Sequence, residues 1–172
     1  MSNTQAVTSE RADLLASLDR HRNFLRYTTR GLSDEQAAQR TTVSELCLGG
    51  LIKHVAATER QWTLFIVEGP SAMAFDRVAM ADTWMNLFKM TADDTLAGLL
   101  GRYEQIASET DELVRGLPDL DAAQPLPDAP WFEPGASWSA RRVLLHIIAE
   151  TAQHAGHADI IREALDGSKS MG

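Results

Sequence analysis

The sequence has very little cysteine, since Cys47 is the only one among 172 residues. A single cysteine excludes an internal disulfide and a cysteine-rich metal knuckle. The sequence also has no apolar run of about 18 residues, which excludes a transmembrane helix. Its polar start, MSNTQAVTSERAD, lacks the apolar stretch of a secretory signal. These absences predict a cytoplasmic protein that is not attached to a membrane.

Positive charge is also scarce. The chain has 16 basic and 24 acidic residues, a net charge of −8, and no basic cluster offsets this balance. Such a chain is repelled by nucleic acid and by anionic membranes, so we expect neither as a partner. Glycine-rich phosphate loops, the H-E-x-x-H zinc motif and the G-x-S-x-G nucleophile elbow are all missing from the sequence.

Helical periodicity dominates what is present, and alternating strand patterns are nearly absent. With 44% hydrophobic and 23% charged residues, the composition is typical of one globular domain spanning 1–172. We expect residues 1–8 and 168–172 to be flexible. Four long helices are predicted: from Ser9 to Thr29, from Thr42 to about Gly69, from a Thr91 cap to about Leu117, and from a Ser137 or Ser139 cap to Leu165.

The scarcity of strand patterns makes the predicted fold class all-α. Four helices, with two long connections among the last three, indicate a four-helix bundle, and an open helical array is the less favoured alternative. Residues 118–137 hold most of the prolines and read as a crossover loop that Trp131 and Phe132 anchor. Residues 69–90 read as a packed loop with one short helical turn. The connection over residues 69–90 carries large apolar side chains that one small bundle would not cover fully, so we expect a homodimer. Those side chains are Met73, Phe75, Trp84 and Phe88.

The second predicted helix contains a costly glycine pair, Gly49-Gly50. Each glycine inside a helix costs about 1 kcal/mol relative to alanine. Two explanations remain open: a neighbouring helix approaches the backbone closely there, or the helix begins later than Thr42.

The fourth predicted helix carries a stripe of His146, Glu150, His154 and His157 within an arc of about 80°. Glu150 and His154 have the i, i+4 spacing that lets two side chains share one metal ion. A hydrogen-bonded edge without metal is the more common outcome of such a pair alone. A site therefore needs a third ligand from another helix.

His54, in the second predicted helix, is the best candidate for that third ligand, although a lone histidine among apolar neighbours is more often a packing residue. His21 is discounted because its neighbours indicate a packing position. Cys47 lies seven residues before His54 and could be a ligand, a reactive thiol or a small buried apolar residue.

Two strings together resemble the DinB-like superfamily, in its mostly uncharacterised actinobacterial branch: LGGLIKHVAATERQW and RRVLLHIIAETAQHAGHADIIREALDG. The resemblance covers nearly the whole chain and implies a four-helix bundle with a divalent metal held by three residues. Those residues would be His54, Glu150 and His154. It also implies thiol transfer with a small thiol such as mycothiol or bacillithiol. A site of two histidines and one carboxylate suits zinc, nickel or iron.

The sequence departs from the family pattern at two places. Many members have histidine where this chain has Glu150, although mycothiol-dependent maleylpyruvate isomerases have glutamate there. Many members follow the last histidine with Arg-Gly-Gln, whereas here Ala155, Gly156 and His157 follow. His157 is therefore a candidate acid/base or fourth ligand. The isomerases also carry a further C-terminal domain, and since this sequence shows none we do not expect their reaction.

The sequence thus predicts a divalent-metal-dependent transferase that uses a low-molecular-weight thiol. The alternatives are a metal- or ligand-binding bundle without turnover and a dimeric structural bundle whose histidines are packing residues.

Overall fold

The computed structural model describes residues 9–73 and 86–170. Its long helices pack as a bundle, in which α1 contacts α5, and α3 contacts both α4 and α5. The predicted all-α bundle with two long connections is confirmed. In chain order the elements are α1 Ser9–Tyr27, α2 Asp34–Ala38, α3 Leu48–Glu68, a 3-10 helix Gly69–Met73, α4 Leu96–Gly116, β1 Ala123–Pro125, β2 Ser137–Ser139 and α5 Ala140–Asp166.

The start of α3 differs from the prediction: the helix begins at Leu48 and not at Thr42. The hydroxyls of Thr42 and Ser44 accept hydrogen bonds from the backbone N–H groups two residues further on. Such local side-chain bonds compete with helix formation. Glu45 forms an ion pair with Arg40 instead of closing a capping box.

The start of α4 also differs, because Thr95 and not Thr91 caps it, accepting from the Gly98 N–H at 3.1 Å. Thr91 is engaged with Asp94, whose carboxylate accepts from both its N–H and its hydroxyl. Lys53 of α3 donates to the same carboxylate at 2.7 Å, which ties this connection to the bundle.

The crossover loop contains a short sheet that the sequence did not predict. Strands β1 and β2 pair antiparallel, with Gln124 opposite Trp138. At three residues each, they are too short to show an alternating pattern. The pairing places Trp138 beside the start of α5, where the Ser139 hydroxyl caps the helix by accepting from the Arg142 N–H.

The core has an apolar part and a charged part. The inward face of α1 is buried at Leu14, Leu18 and Leu25. Between them lies Arg22, also buried, which donates to the Glu59 carboxylate of α3 at 2.5 Å and to Asp111 of α4 at 2.8 Å. These two ion pairs of Arg22 link three helices, and no sequence pattern indicated them.

The glycine pair accommodates a close backbone approach from residues 86–90. A Cβ on Gly50 would lie 2.0 Å from the Phe88 carbonyl oxygen, and one on Gly49 would lie 2.2 Å from the Met90 sulfur. The approaching atoms belong to residues 88–90, which directly follow helical residues 86–87, and α3 begins later than Thr42. Met73 is buried in the core of its own chain, while Phe75, Trp84 and the termini 1–8 and 171–172 lie outside the described residues.

Candidate metal centre

Two of the predicted ligands lie one turn apart on α5. Glu150 Oε2 is 3.6 Å from His154 Nε2, and both side chains are largely covered. They are placed there because Ile147, Thr151 and Ala155 on the same helix are buried and set the rotation of α5. The predicted helical pair therefore points into the bundle.

The third predicted ligand approaches from α3. His54 is buried, and its ring meets the His154 ring edge-on, with the centroids 4.8 Å apart. The Phe88 ring stacks on the His54 ring, with the two centroids 4.0 Å apart. One donor atom from each of His54, Glu150 and His154 lies within 4.8 Å of the others.

The donor set fits a divalent metal. Two imidazoles and one carboxylate form the three-ligand arrangement of metal sites that keep one position open. Ligand distances of about 2.0–2.2 Å place neighbouring ligand atoms roughly 3.5 Å apart. The Glu150–His154 spacing of 3.6 Å has this value. The widest spacing of the group, 4.8 Å, must close by about 1 Å. Whether these residues bind metal stays a prediction.

The protonation states favour metal binding. Burial, reinforced by the nearby His154, lowers the pKa of His54 to about 4, although Glu150 opposes the shift. A hydrogen bond from His154 lowers the pKa of Glu150 despite partial burial. At neutral pH His54 is therefore neutral and Glu150 ionised, which are the ligand forms that a metal requires.

His157 and His146 contact the site in different ways. His157 Nδ1 is 3.5 Å from His154 Nδ1, so His157 lies against the nitrogen of His154 that does not face Glu150. His146 meets Trp62 and Trp138 edge-on, at centroid distances of 4.8 and 5.1 Å. Burial is the largest cause of the lowered pKa of His146.

The remaining candidates from the sequence lie away from this group. Cys47 is buried at the N-terminus of α3, and its thiol donates to the Phe88 carbonyl at 3.7 Å. His21 is half-buried on α1 against Phe24. Neither belongs to the three-residue group, which is consistent with a packing role for both.

An open cavity of about 380 Å³ lies over the candidate ligands. Its walls combine the ligand group with apolar and aromatic side chains from α3, α5 and the crossover loop. From the sequence, only Trp131 and Phe132 were assigned a role in the crossover loop, and none of the aromatic lining residues was connected to the site. The lining residues are His54, Thr58, Gln61, Trp62, Met73, Phe88, Trp131, Phe132, Trp138, His146, Glu150 and His154.

In a comparison with protein families, the model described as mycothiol-S-transferase matches residues 13–167. The chain belongs to the mycothiol S-transferase family. This family is part of the DinB-like superfamily, so the resemblance of the α3 and α5 strings is confirmed. A comparison with curated proteins finds no match. Among the described residues, no helix is both long and apolar enough to cross a membrane.

Proposed function

We propose that this chain is a divalent-metal-dependent transferase that joins a small thiol, mycothiol or a bacillithiol-type thiol, to an electrophile. The observation that supports it best is the convergence of His54, Glu150 and His154 on one side of an open cavity. Membership of the mycothiol S-transferase family supports the choice of a thiol and favours mycothiol.

The three residues would hold the metal, and Glu150 would offset one of its two charges. A divalent metal bound there supplies a positive charge that favours the thiolate, which is the nucleophilic form of a thiol. The donor set suits zinc, nickel or iron. Attack on an alkyl or aryl halide forms a sulfur–carbon bond, and the halide leaves with the electrons of the broken carbon–halogen bond.

Two further histidines have separate roles in this proposal. The thiol proton passes by way of solvent in the open cavity to His146, which lies one turn before Glu150 on α5 and is neutral because burial mainly lowers its pKa. His157 is not among the described residues that line the cavity. It orients the His154 ring through the 3.5 Å contact between the two Nδ1 atoms. We therefore propose His157 as a positioning residue for His154.

Metal analysis of purified variants, combined with a conjugation assay, tests the proposal. His54→Ala and His154→Ala should each lose bound metal while the helical circular dichroism signal persists, because the apolar side chains that pack α3 and α5 into the bundle remain. His21→Ala is the matched control and should keep its metal. Stoichiometric metal in His54→Ala would refute the three-ligand site. Metal-loaded protein that never conjugates mycothiol to iodoacetamide would instead favour a binding protein without turnover.

The wider setting of the protein is part of the same proposal. We propose a single domain over residues 1–172 that acts in the cytoplasm, without nucleic-acid partners in view of its charge of −8. We also propose a homodimer. Met73 and Phe88 no longer support that dimer, because the first is buried in the core and the second packs on His54. Sedimentation that shows only monomer at high micromolar concentration would exclude the homodimer.

A further inference from the structure

The cavity has two chemically different levels. It lies between α3 and α5, where His54 faces His154 at one level and Trp62 faces His146 at the other. Each helix advances eight residues between the two levels, which corresponds to about 12 Å along its axis. The helices run in opposite directions, so the candidate ligands gather at one level and the indole ring of Trp62 at the other.

The second level is an aromatic wall, which we define as Trp62, Trp131, Phe132 and Trp138. Trp62 and Trp138 stack at 4.8 Å with an angle of 15° between their planes. Phe132 meets Trp138 edge-on at 5.8 Å. Arg142, which does not line the cavity, lies over the Trp138 ring at 4.4 Å. These contacts hold the wall in place without a ligand, which reduces the entropy cost of binding.

One member of the wall is open to solvent. Trp131 contacts Phe132 edge-on at 6.1 Å, yet it is 62% exposed. An indole that lines a cavity and remains this exposed offers a large apolar surface to an incoming molecule. Of the two residues predicted to anchor the loop, Phe132 packs against Trp62 at 6.4 Å, whereas Trp131 remains mostly exposed.

We propose that the aromatic wall is a subsite for a flat, apolar ring system carried by the electrophile, an assignment that rests on the proposed thiol transfer. Aromatic rings gain from edge-to-face and offset contacts in addition to burial of their area. A ring against the wall directs its reactive substituent along the cavity toward His54, Glu150 and His154.

A sugar ring of the thiol is the alternative occupant, because sugars also pack on indole faces. Gln61 and His146 are the polar lining side chains at this level. Two such side chains offer the several hydroxyls of a sugar few direct hydrogen bonds from the protein, whereas a flat apolar ring needs none. The wall therefore favours the electrophile over the thiol.

Calorimetric titration without thiol tests the subsite separately from turnover. The probes are 1-naphthol, the saturated decahydro-1-naphthol of similar size, and methyl α-glucopyranoside. We expect 1-naphthol to bind about tenfold more tightly than its saturated analogue, and the glucoside not to bind. Trp131→Ala should weaken 1-naphthol about tenfold, and Trp131→Phe should restore most of the affinity. Ile160→Ala, the control, removes a side chain of α5 that is equally exposed at 62% and should change nothing.

Three results would overturn the subsite: equal affinity for the flat and saturated probes, unchanged binding in Trp131→Ala, or tight binding of the glucoside. Steady-state kinetics add a second readout, because Trp131→Ala should raise KM for 1-chloro-2,4-dinitrobenzene and leave KM for mycothiol unchanged. The opposite split would assign the wall to the thiol. If the wild type fails to conjugate at all, the proposed function is wrong, while the titration still decides whether the wall binds flat rings.

Discussion

Gly50→Ala should destabilise the protein and loosen the candidate metal centre. The added methyl carbon would lie 2.0 Å from the Phe88 carbonyl oxygen and 2.3 Å from its carbonyl carbon. Ordinary contact requires about 3.5 Å, so the two backbones must separate by about 1.5 Å. Because the obstacle is backbone, no rotation of a side chain relieves the clash. The displaced segment carries Phe88, whose ring stacks on His54.

The expected magnitude combines two opposing effects. Overpacking a tight contact costs about 1–3 kcal/mol, with a rigid backbone obstacle at the upper end. Replacing glycine in a helix returns up to about 1 kcal/mol, and less in the first turn. We therefore expect Gly50→Ala to lower the free energy of unfolding by about 2 kcal/mol. For a chain of this size, that corresponds to a fall in Tm of about 4–8 °C.

Gly101→Ala is the matched control, because Gly101 lies inside α4 with nothing within 4 Å of the added carbon. This variant should gain up to about 1 kcal/mol, which raises Tm by about 2–4 °C. Thermal unfolding followed by circular dichroism measures both variants, and a metal titration tests whether Gly50→Ala also weakens affinity. If Gly50→Ala is as stable as Gly101→Ala, the approach of residues 86–90 to α3 is wrong.

Three further predictions concern charged and titratable groups. Glu59→Ala should lower the free energy of unfolding, measured in urea, by about 3–5 kcal/mol, because it leaves the buried charge of Arg22 only partly neutralised. Glu163→Ala removes one partner of an exposed ion pair and should lower it by under about 1 kcal/mol. Equal losses in the two variants would contradict this reasoning. Folding lowers the pKa of His54 from 6.5 to about 4, so the unfolded chain takes up this proton at a higher pH than the folded chain. The free energy of unfolding of the metal-free protein should therefore fall by roughly 2–3 kcal/mol between pH 6.5 and pH 4.5. His54→Gln should remove that part of the loss. His157→Gln should weaken metal affinity about 10–100-fold in a competition titration while the helical signal is unchanged, and wild-type affinity would exclude a positioning role.

The sequence predicted most accurately what depends on neighbouring residues. The period of 3.6 residues defined the long helices and placed Glu150 and His154 on one face of α5. The capping box of Ser33 and Gln36 forms as its spacing indicates. Local signals failed where two of them compete. Thr42 and Thr91 both resemble helix caps, yet each instead bonds to backbone or carboxylate groups close by in the chain.

Residues that meet across the bundle explain why the rest could not be predicted. Glu150 and His154 are four apart, so periodicity alone placed them on one face, whereas only the family resemblance connected them to His54. No spacing links Trp131 or Trp138 to Trp62, because the β1–β2 pairing and the course of the crossover loop bring them together. The α5 ligand pair can thus be derived from a short sequence pattern, whereas the third ligand and the aromatic wall depend on packing between segments that are distant in the chain.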